Sequence, residues 1–196
     1  MKLNIGCGNT RKPGYVGVDI ISTGSVDVIA DIEASYLPFL DNSITLVYSH
    51  HVLEHLNNLI GTMREIHRIL IPSGLCEIIV PHWSTVYAWS DPTHCRVFSS
   101  YTFRYFCSDE FIFYGLPAFE VRYSRIMYHM KITSNKGSFV KALKPYSVIL
   151  DFLANKNVDL CERFWCFWVG GFEQLHVILS RRDMPTLPHE SSILFD

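Results

Sequence analysis

Leu3-Asn4-Ile5-Gly6-Cys7-Gly8-Asn9, followed by Val16-Gly17-Val18-Asp19-Ile20, decides the reading of this chain. A short apolar strand runs into a glycine turn, and a second apolar strand ends on a carboxylate. Glycine lets backbone approach a ligand where a side chain would clash. A carboxylate at the next strand's tip can accept from both hydroxyls of a ribose. The pattern predicts a nucleoside held at the edge of an open parallel sheet.

Outward from this stretch, strand and helix signals alternate. Val26–Ala30 reads as a third strand running to Asp31, and Ile44–Tyr48 as a fourth. From His51 to Leu70, apolar residues recur at helical spacing (Val52, Leu56, Leu59, Met63, Ile66), with Pro72 and Gly74 placed to stop the helix. Leu75–Val80 is a fifth strand, ended by Pro81. Such alternation predicts an α/β fold with a doubly wound, mostly parallel sheet and an antiparallel last strand at Gln174–Ser180. The first crossover is short: only six residues separate Gly8 from Tyr15, and Pro13-Gly14 lies among them. Parallel crossovers usually take a dozen residues or more, so no full helix is expected there.

The chain is expected to be one domain of 196 residues. Residues 2–82 form its ligand-binding half, and an aromatic-rich insertion follows at 83–117. Strands and helices at 118–182 complete it, with helical pieces at Ser138–Leu143 and Val158–Trp168 and a strand at Phe119–Met130. Residues 183–196 read as a tail. Since the first strand starts at residue 2, the cover over the ligand is expected from Trp83–Pro117.

Composition narrows the function classes. A net charge of −2, with no Lys/Arg cluster, argues against a nucleic-acid surface. No apolar run reaches the ~18–20 residues of a membrane span, and Lys2-Leu3-Asn4-Ile5 reads as strand rather than leader. The six cysteines are scattered without a C-x-x-C pair, which fits reduced thiols in the cytoplasm. The bulky stretch Glu162–Trp168 suits core packing against the sheet, with a homodimer face as the alternative.

At the carboxyl edge of such a sheet the strand ends converge. Asp19 is placed to take a ribose diol. Asp31 is placed to accept from an adenine amino group, with Ile20 and Ile32 flanking the ring, and Ser49-His50 lies beneath the ligand's tail. Beyond strand five, His82, Asp91 and His94 fall where an acceptor would sit. A histidine there could take a hydroxyl's proton, since imidazole titrates in the useful range.

Asn4-Ile5-Gly6-Cys7-Gly8, Val18-Asp19-Ile20, Asp31-Ile32-Glu33, Tyr48–Leu56 and Arg64–Gly74 together resemble the class I methyltransferases that use S-adenosylmethionine. The resemblance spans roughly residues 2 to 82. It implies a Rossmann-like methyltransferase fold, S-adenosylmethionine as cofactor and S-adenosylhomocysteine as product. It also implies a cofactor site drawn from Asn4, Gly6, Cys7, Gly8, Asp19, Ile20, Asp31, Ile32, Ser49, His50 and Glu54. The acceptor would be a small molecule or glycan. Asp91–Phe98 is similar to a subgroup associated with bacterial surface-polysaccharide clusters. Asn4 stands where an acidic residue is common, and Thr10 where the third glycine of the turn would be.

Competing readings remain at this stage. His51-Val52-Leu53-Glu54-His55 matches H-x-x-E-H, an inverted zinc-peptidase motif that needs both histidines on one helical face. That reading leaves the strand-end set unexplained, so no resident metal is expected. A nicotinamide oxidoreductase would put its acid ~20 residues beyond the glycines, but Asp19 lies eleven beyond Gly8. A non-catalytic cofactor-binding partner subunit is the third alternative.

Overall fold

Five parallel strands carry the chain's first 81 residues into one sheet. They are β1 (Lys2–Ile5), β2 (Val16–Asp19), β3 (Val28–Ile29), β4 (Ile44–His50) and β5 (Leu70–Pro81). β6 (Phe119–Met127) and β7 (Gln174–Arg181) complete it in the order β3-β2-β1-β4-β5-β7-β6, with β7 antiparallel to both neighbours. The structure, a computed structural model, describes residues 1–34, 36–113, 115–128 and 148–183. The expected helix at Ser138–Leu143 and the tail from residue 184 lie outside those residues.

The order reverses between β1 and β4, so the carboxyl ends of both open onto one crevice, where open α/β sheets bind ligands. No helix intervenes between β1 and β2, as the short crossover predicted. The same holds between β2 and β3.

Among the described residues one long helix belongs to this half, and it is shorter than the sequence pattern suggested. α1 runs from Leu59 to Ile69, and Leu59, Met63, Ile66 and Ile69 form its buried stripe. Asn58 caps it by accepting from the Gly61 amide at 3.0 Å. Residues 51–57 are not part of the helix. His51 has φ +55°, and Leu53–His55 is one 3₁₀ turn. Val52, Leu53 and Leu56 are all buried, so their helical spacing reflects packing into the core from an irregular segment.

Pro72 and Gly74 likewise do not stop α1. They sit inside β5, where the register with β4 jumps from Ile44↔Leu70 to Leu46↔Leu75. The irregularity absorbs the extra residues, and a proline without an N–H fits there. Phe119–Met130 ends early, at Met127 within the described residues, and the third strand shrinks to two residues.

Beyond β5 come α2 (Tyr87–Ser90), a 3₁₀ segment (Thr102–Cys107) and α3 (Asp109–Phe113). The insertion divides in two. Phe98 and Phe103 are fully buried and stacked at 5.5 Å, so its second half belongs to the core. Its first half stays at the carboxyl edge. After helical residues 148–156 (α4) follow α5 (Val158–Leu160), a π-helical turn (Cys161–Trp165) and a last turn (Cys166–Trp168).

That last segment is tied down by a buried polar network. The His82 Nε2 lies 2.9 Å from Glu162 Oε1, and the His82 Nδ1 lies 2.8 Å from Ser84 Oγ. Ser100 donates to the same carboxylate through its amide and its hydroxyl, at 2.8 and 2.7 Å. Burial pushes the Glu162 carboxyl up, but the bonds from His82 and Ser100 outweigh it and hold it below the ordinary range. His82 is wholly buried with both ring nitrogens engaged. It joins β5 to the helical segment instead of facing an acceptor.

A second buried acid fixes α1 to the loop before β4. Glu65 accepts from the Leu37 amide at 2.6 Å and from the Arg68 guanidinium, which also bonds the carbonyls of Leu37 and Phe39.

Two outcomes follow for stability. Glu65→Ala leaves the Leu37 amide unpaired and takes from Arg68 its buried carboxylate partner, and should cost about 3 kcal/mol, the low end for breaking a buried pair; urea unfolding measures it. Glu162 is more acidic folded than unfolded, so its stabilisation is present above the ordinary carboxylate pKa and fades as pH falls through the lowered folded value. Glu162→Gln should therefore be less stable near neutrality and show a shallower loss of stability on acidification, read from melting midpoints across pH.

Candidate functional site

The glycine turn after β1 is shaped on both sides. Gly6 has φ +61°, and a Cβ there would come within 2.3 Å of a Val52 methyl. Gly8 has φ +51°, and a Cβ there would meet nothing within 4 Å. Gly6 is therefore needed for packing beneath the turn, and Gly8 for the left-handed backbone that opens it. The Gly8 amide donates to Asp19 Oδ2 at 2.8 Å, and the Ile21 amide to Asp19 Oδ1 at 3.0 Å. Two backbone amides thus aim the carboxylate at the crevice edge.

Around this pair the other expected residues separate. Ile20 is 62% exposed and Ile29 64%, an apolar surface at the edge between Asp19 and Asp31. Ile32 is buried in the core and does not flank a ligand surface. Asn4 is buried, and its amide donates to the Thr10 carbonyl, which braces the turn. Cys7 is buried beneath the turn, and burial raises its thiol pKa. Asp31 is exposed and accepts from the Glu33 amide at 2.8 Å. Ser49, at the carboxyl end of β4, is fully buried, and its hydroxyl finds no partner among the described residues. His50 is exposed beside it, its ring 4.3 Å from that of His51.

Sequence reasoning missed Asp27. It accepts from the Gly17 amide at 2.8 Å and pairs with Arg11 at 3.1 Å, bracing β2 behind Asp19. The Gly17 bond, and then Arg11, hold its carboxyl below the usual range. The signal would have been an Asp one residue before a strand in a turn-rich stretch, which is too common to single out.

A cleft of about 530 Å³ opens beside this edge, lined by residues including His51, Glu54, His55, Tyr87, Asp91 and His94. The first half of the insertion forms one wall. The Cys95 amide donates to the Glu54 carbonyl at 2.7 Å, and Arg96 Nη2 bonds the carbonyls of Leu56 and Asn57. Asp91 accepts from the Thr93 hydroxyl at 2.6 Å and the Thr93 amide at 2.8 Å, which hold its carboxyl below the ordinary range. His94 and Asp91 face this cleft, and His82 does not line it.

The peptidase geometry is not formed. His51 and His55 do not share a helical face, because His51 is left-handed and points its Nδ1 at Glu54 Oε1 (3.0 Å) and its Nε2 at Gln174 (2.8 Å). Glu54 is 1% exposed, and its second oxygen has no partner among the described residues.

Residues 3–78 of the chain match the family model of the methyltransferase domain. A comparison with curated protein sequences returns no match. Among solved structures, a SAM-dependent methyltransferase from Archaeoglobus fulgidus aligns with a TM-score of 0.54 at 18% identity, covering 92% of this chain and 85% of that one. A chain from the complex between the Haloferax volcanii Trm112 methyltransferase activator and the putative methyltransferase aligns at 0.56 and 15%, covering 93% and 82%. The cyclase SpnF aligns at 0.52 and 14%, covering 92% and 74%. At these identities the likeness is one of fold. The chain thus has a Rossmann-like methyltransferase fold, and the methyltransferase-domain match falls on the half that carries the glycine turn, Asp19 and the His51–Leu56 segment.

Proposed function

We propose that the protein is an S-adenosylmethionine-dependent methyltransferase whose acceptor, a small molecule or glycan, enters the cleft between His51–His55 and Tyr87–His94. The observation that carries this reading is the Asp19 carboxylate, fixed by the Gly8 and Ile21 amides beside an open glycine turn at the switch in strand order. The residues present suit the nucleoside. Asp19 retains lone pairs for a ribose diol, Ile20 and Ile29 offer an apolar face to adenine, and the unpartnered Ser49 hydroxyl lies at the end of β4. Bound there, the cofactor supplies a methyl group already activated on a sulfonium.

The chain's own task is then alignment and a dry site. A hydroxyl acceptor must also lose its proton as the methyl arrives, and Glu54, His55 and His94 are the cleft groups able to assist. The likeness of Asp91–Phe98 to the surface-polysaccharide subgroup favours a sugar hydroxyl. The work would be done in the cytoplasm; no described helix is long and apolar enough to cross a membrane. The exposed apolar surface at Phe164, Phe167 and Trp168 suits a homodimer contact. A partner-dependent, non-catalytic subunit is the second reading, favoured only by the structural neighbour seen with an activator.

Two measurements test the proposal. Calorimetry should show S-adenosylhomocysteine binding to the wild-type protein. Asp19→Asn, which removes the charge and sets an NH2 donor against the Gly8 or Ile21 amide, should lose at least about 1.5–3 kcal/mol of that binding. Unchanged affinity in the folded variant contradicts the site. His94→Gln should keep cofactor affinity while turnover falls by roughly 10²–10⁴-fold, the usual range for losing assistance to proton transfer, whether His94 gives it directly or through a group that it holds. Full turnover in His94→Gln removes His94 from the chemistry.

A further inference from the structure

We infer that Glu54, His55 and His94 form a binding site for a divalent transition-metal cation in the cleft, and that the cation holds the acceptor's oxygen. One side-chain donor atom from each of the three lies within 4.8 Å of the other two. Proximity alone would be weak support, because histidines and acids often gather without a metal. The hydrogen bonds around the cluster carry the inference.

Each ring has its Nδ1 committed as a donor. The His94 Nδ1 lies 3.1 Å from the Ala88 carbonyl, which can only accept, so this nitrogen bears the proton. The Thr93 hydroxyl has one proton and gives it to Asp91 Oδ1 at 2.6 Å. It must therefore accept from the His55 Nδ1, 2.9 Å away. Both tautomers follow, and both leave Nε2 without a hydrogen bond; the His94 Nε2 has the Asp91 Oδ2 at 3.9 Å, beyond hydrogen-bond distance. This is how protein partners fix metal-binding histidines, by taking the distal N–H.

The carboxylate fits the same pattern. Glu54 is 1% exposed, and its Oε1 accepts from His51, which Gln174 holds from behind. Its Oε2 is buried with no partner among the described residues. A buried carboxylate oxygen left bare is costly unless something positive meets it. The other two buried glutamates among the described residues, Glu65 and Glu162, have both oxygens satisfied. Glu54 is the exception, and it belongs to the same cluster as the two histidines whose Nδ1 atoms are already engaged.

The scaffold is also fixed. The Cys95 amide and the Arg96 guanidinium tie the loop bearing His94 onto the turn bearing Glu54 and His55. Two imidazoles and one carboxylate suit manganese, cobalt or zinc better than calcium, which takes oxygen ligands. Three protein ligands leave coordination positions open toward the cleft. The role toward the acceptor rests on the methyltransferase reading; the binding of the cation does not. A hydroxyl on the cation becomes more acidic. Its proton would pass to water, the freed electron pair on oxygen would form the bond to the methyl carbon as the carbon–sulfur bond of the sulfonium breaks and its pair stays on sulfur, and the cation would keep its oxidation state. The H-x-x-E-H segment thus contributes through Glu54 and His55, with His94 in place of His51.

The test uses Co²⁺ with chelator-treated protein and no cofactor or acceptor. Visible absorption should report uptake of one equivalent, with the d–d band of nitrogen and oxygen ligation. His94→Gln and Glu54→Gln should each weaken uptake by about 100-fold or more, and Thr93→Val, which frees the His55 ring and removes a donor from Asp91, by ~10–100-fold. His176→Gln, whose ring pairs with Glu77 in the sheet, should bind as wild type does. Should Glu54→Gln fail to fold, His94→Gln decides alone. No uptake by the wild-type protein, or uptake unchanged in a folded His94→Gln variant, overturns the site. Cofactor binding by calorimetry is a separate readout, so a failed metal site and a failed methyltransferase reading give different results.

Discussion

The methyl groups of Val52 occupy the space where any side chain at residue 6 would stand. This contact couples the two halves of the candidate site. It demands glycine after β1, and it demands that the chain leaving β4 turn back beneath the glycine turn rather than climb away as a helix. His51 takes up the left-handed backbone that the reversal needs. Leu53–His55 then closes as a single 3₁₀ turn and carries Glu54 inward. Had a helix begun at His51, Val52 would lie on its surface and Glu54 would not reach the cleft from below.

The sheet was legible because strand ends and glycines are local signals. Asp19 could be placed from Val16-Gly17-Val18 alone, and its bond to the Gly8 amide confirms how the turn and the carboxylate meet. Residues 51–58 misled because apolar spacing does not say what covers the apolar side chains. Val52 and Leu56 recur as a helix would have them, yet both are buried from an irregular segment. Asn57-Asn58, a strong capping pair, held the better signal for where α1 starts. His82 was misread for a related reason. A histidine after a strand end looks poised for chemistry, and only the fold brings Glu162, eighty residues on, against its Nε2.

Burial of glutamate gives a way to separate support from function here. Glu65 and Glu162 each sit in a fully answered network, joining elements that are distant in sequence. Such networks cost little once satisfied and are destabilising only when broken. Glu54 is answered on one side by His51 and left bare on the other. An acid that served packing alone would have had its second oxygen paired, as the other two have. The asymmetry marks the point where the molecule expects something from outside.

The fold does not choose the reaction, since a cyclase shares it with methyltransferases. In this chain the stretch from Val86 to Arg96 is joined to the stretch from His51 to Asn57. Backbone and guanidinium bonds hold the two segments in register, and Asp91 orients Thr93, which in turn orients His55. A carboxylate acting through a hydroxyl on an imidazole is an orienting chain; its product is a nitrogen lone pair aimed in a fixed direction. His94 acquires the same property from the Ala88 carbonyl. Two independently fixed imidazoles and one carboxylate with an unpaired oxygen thus belong to residues that line one cleft.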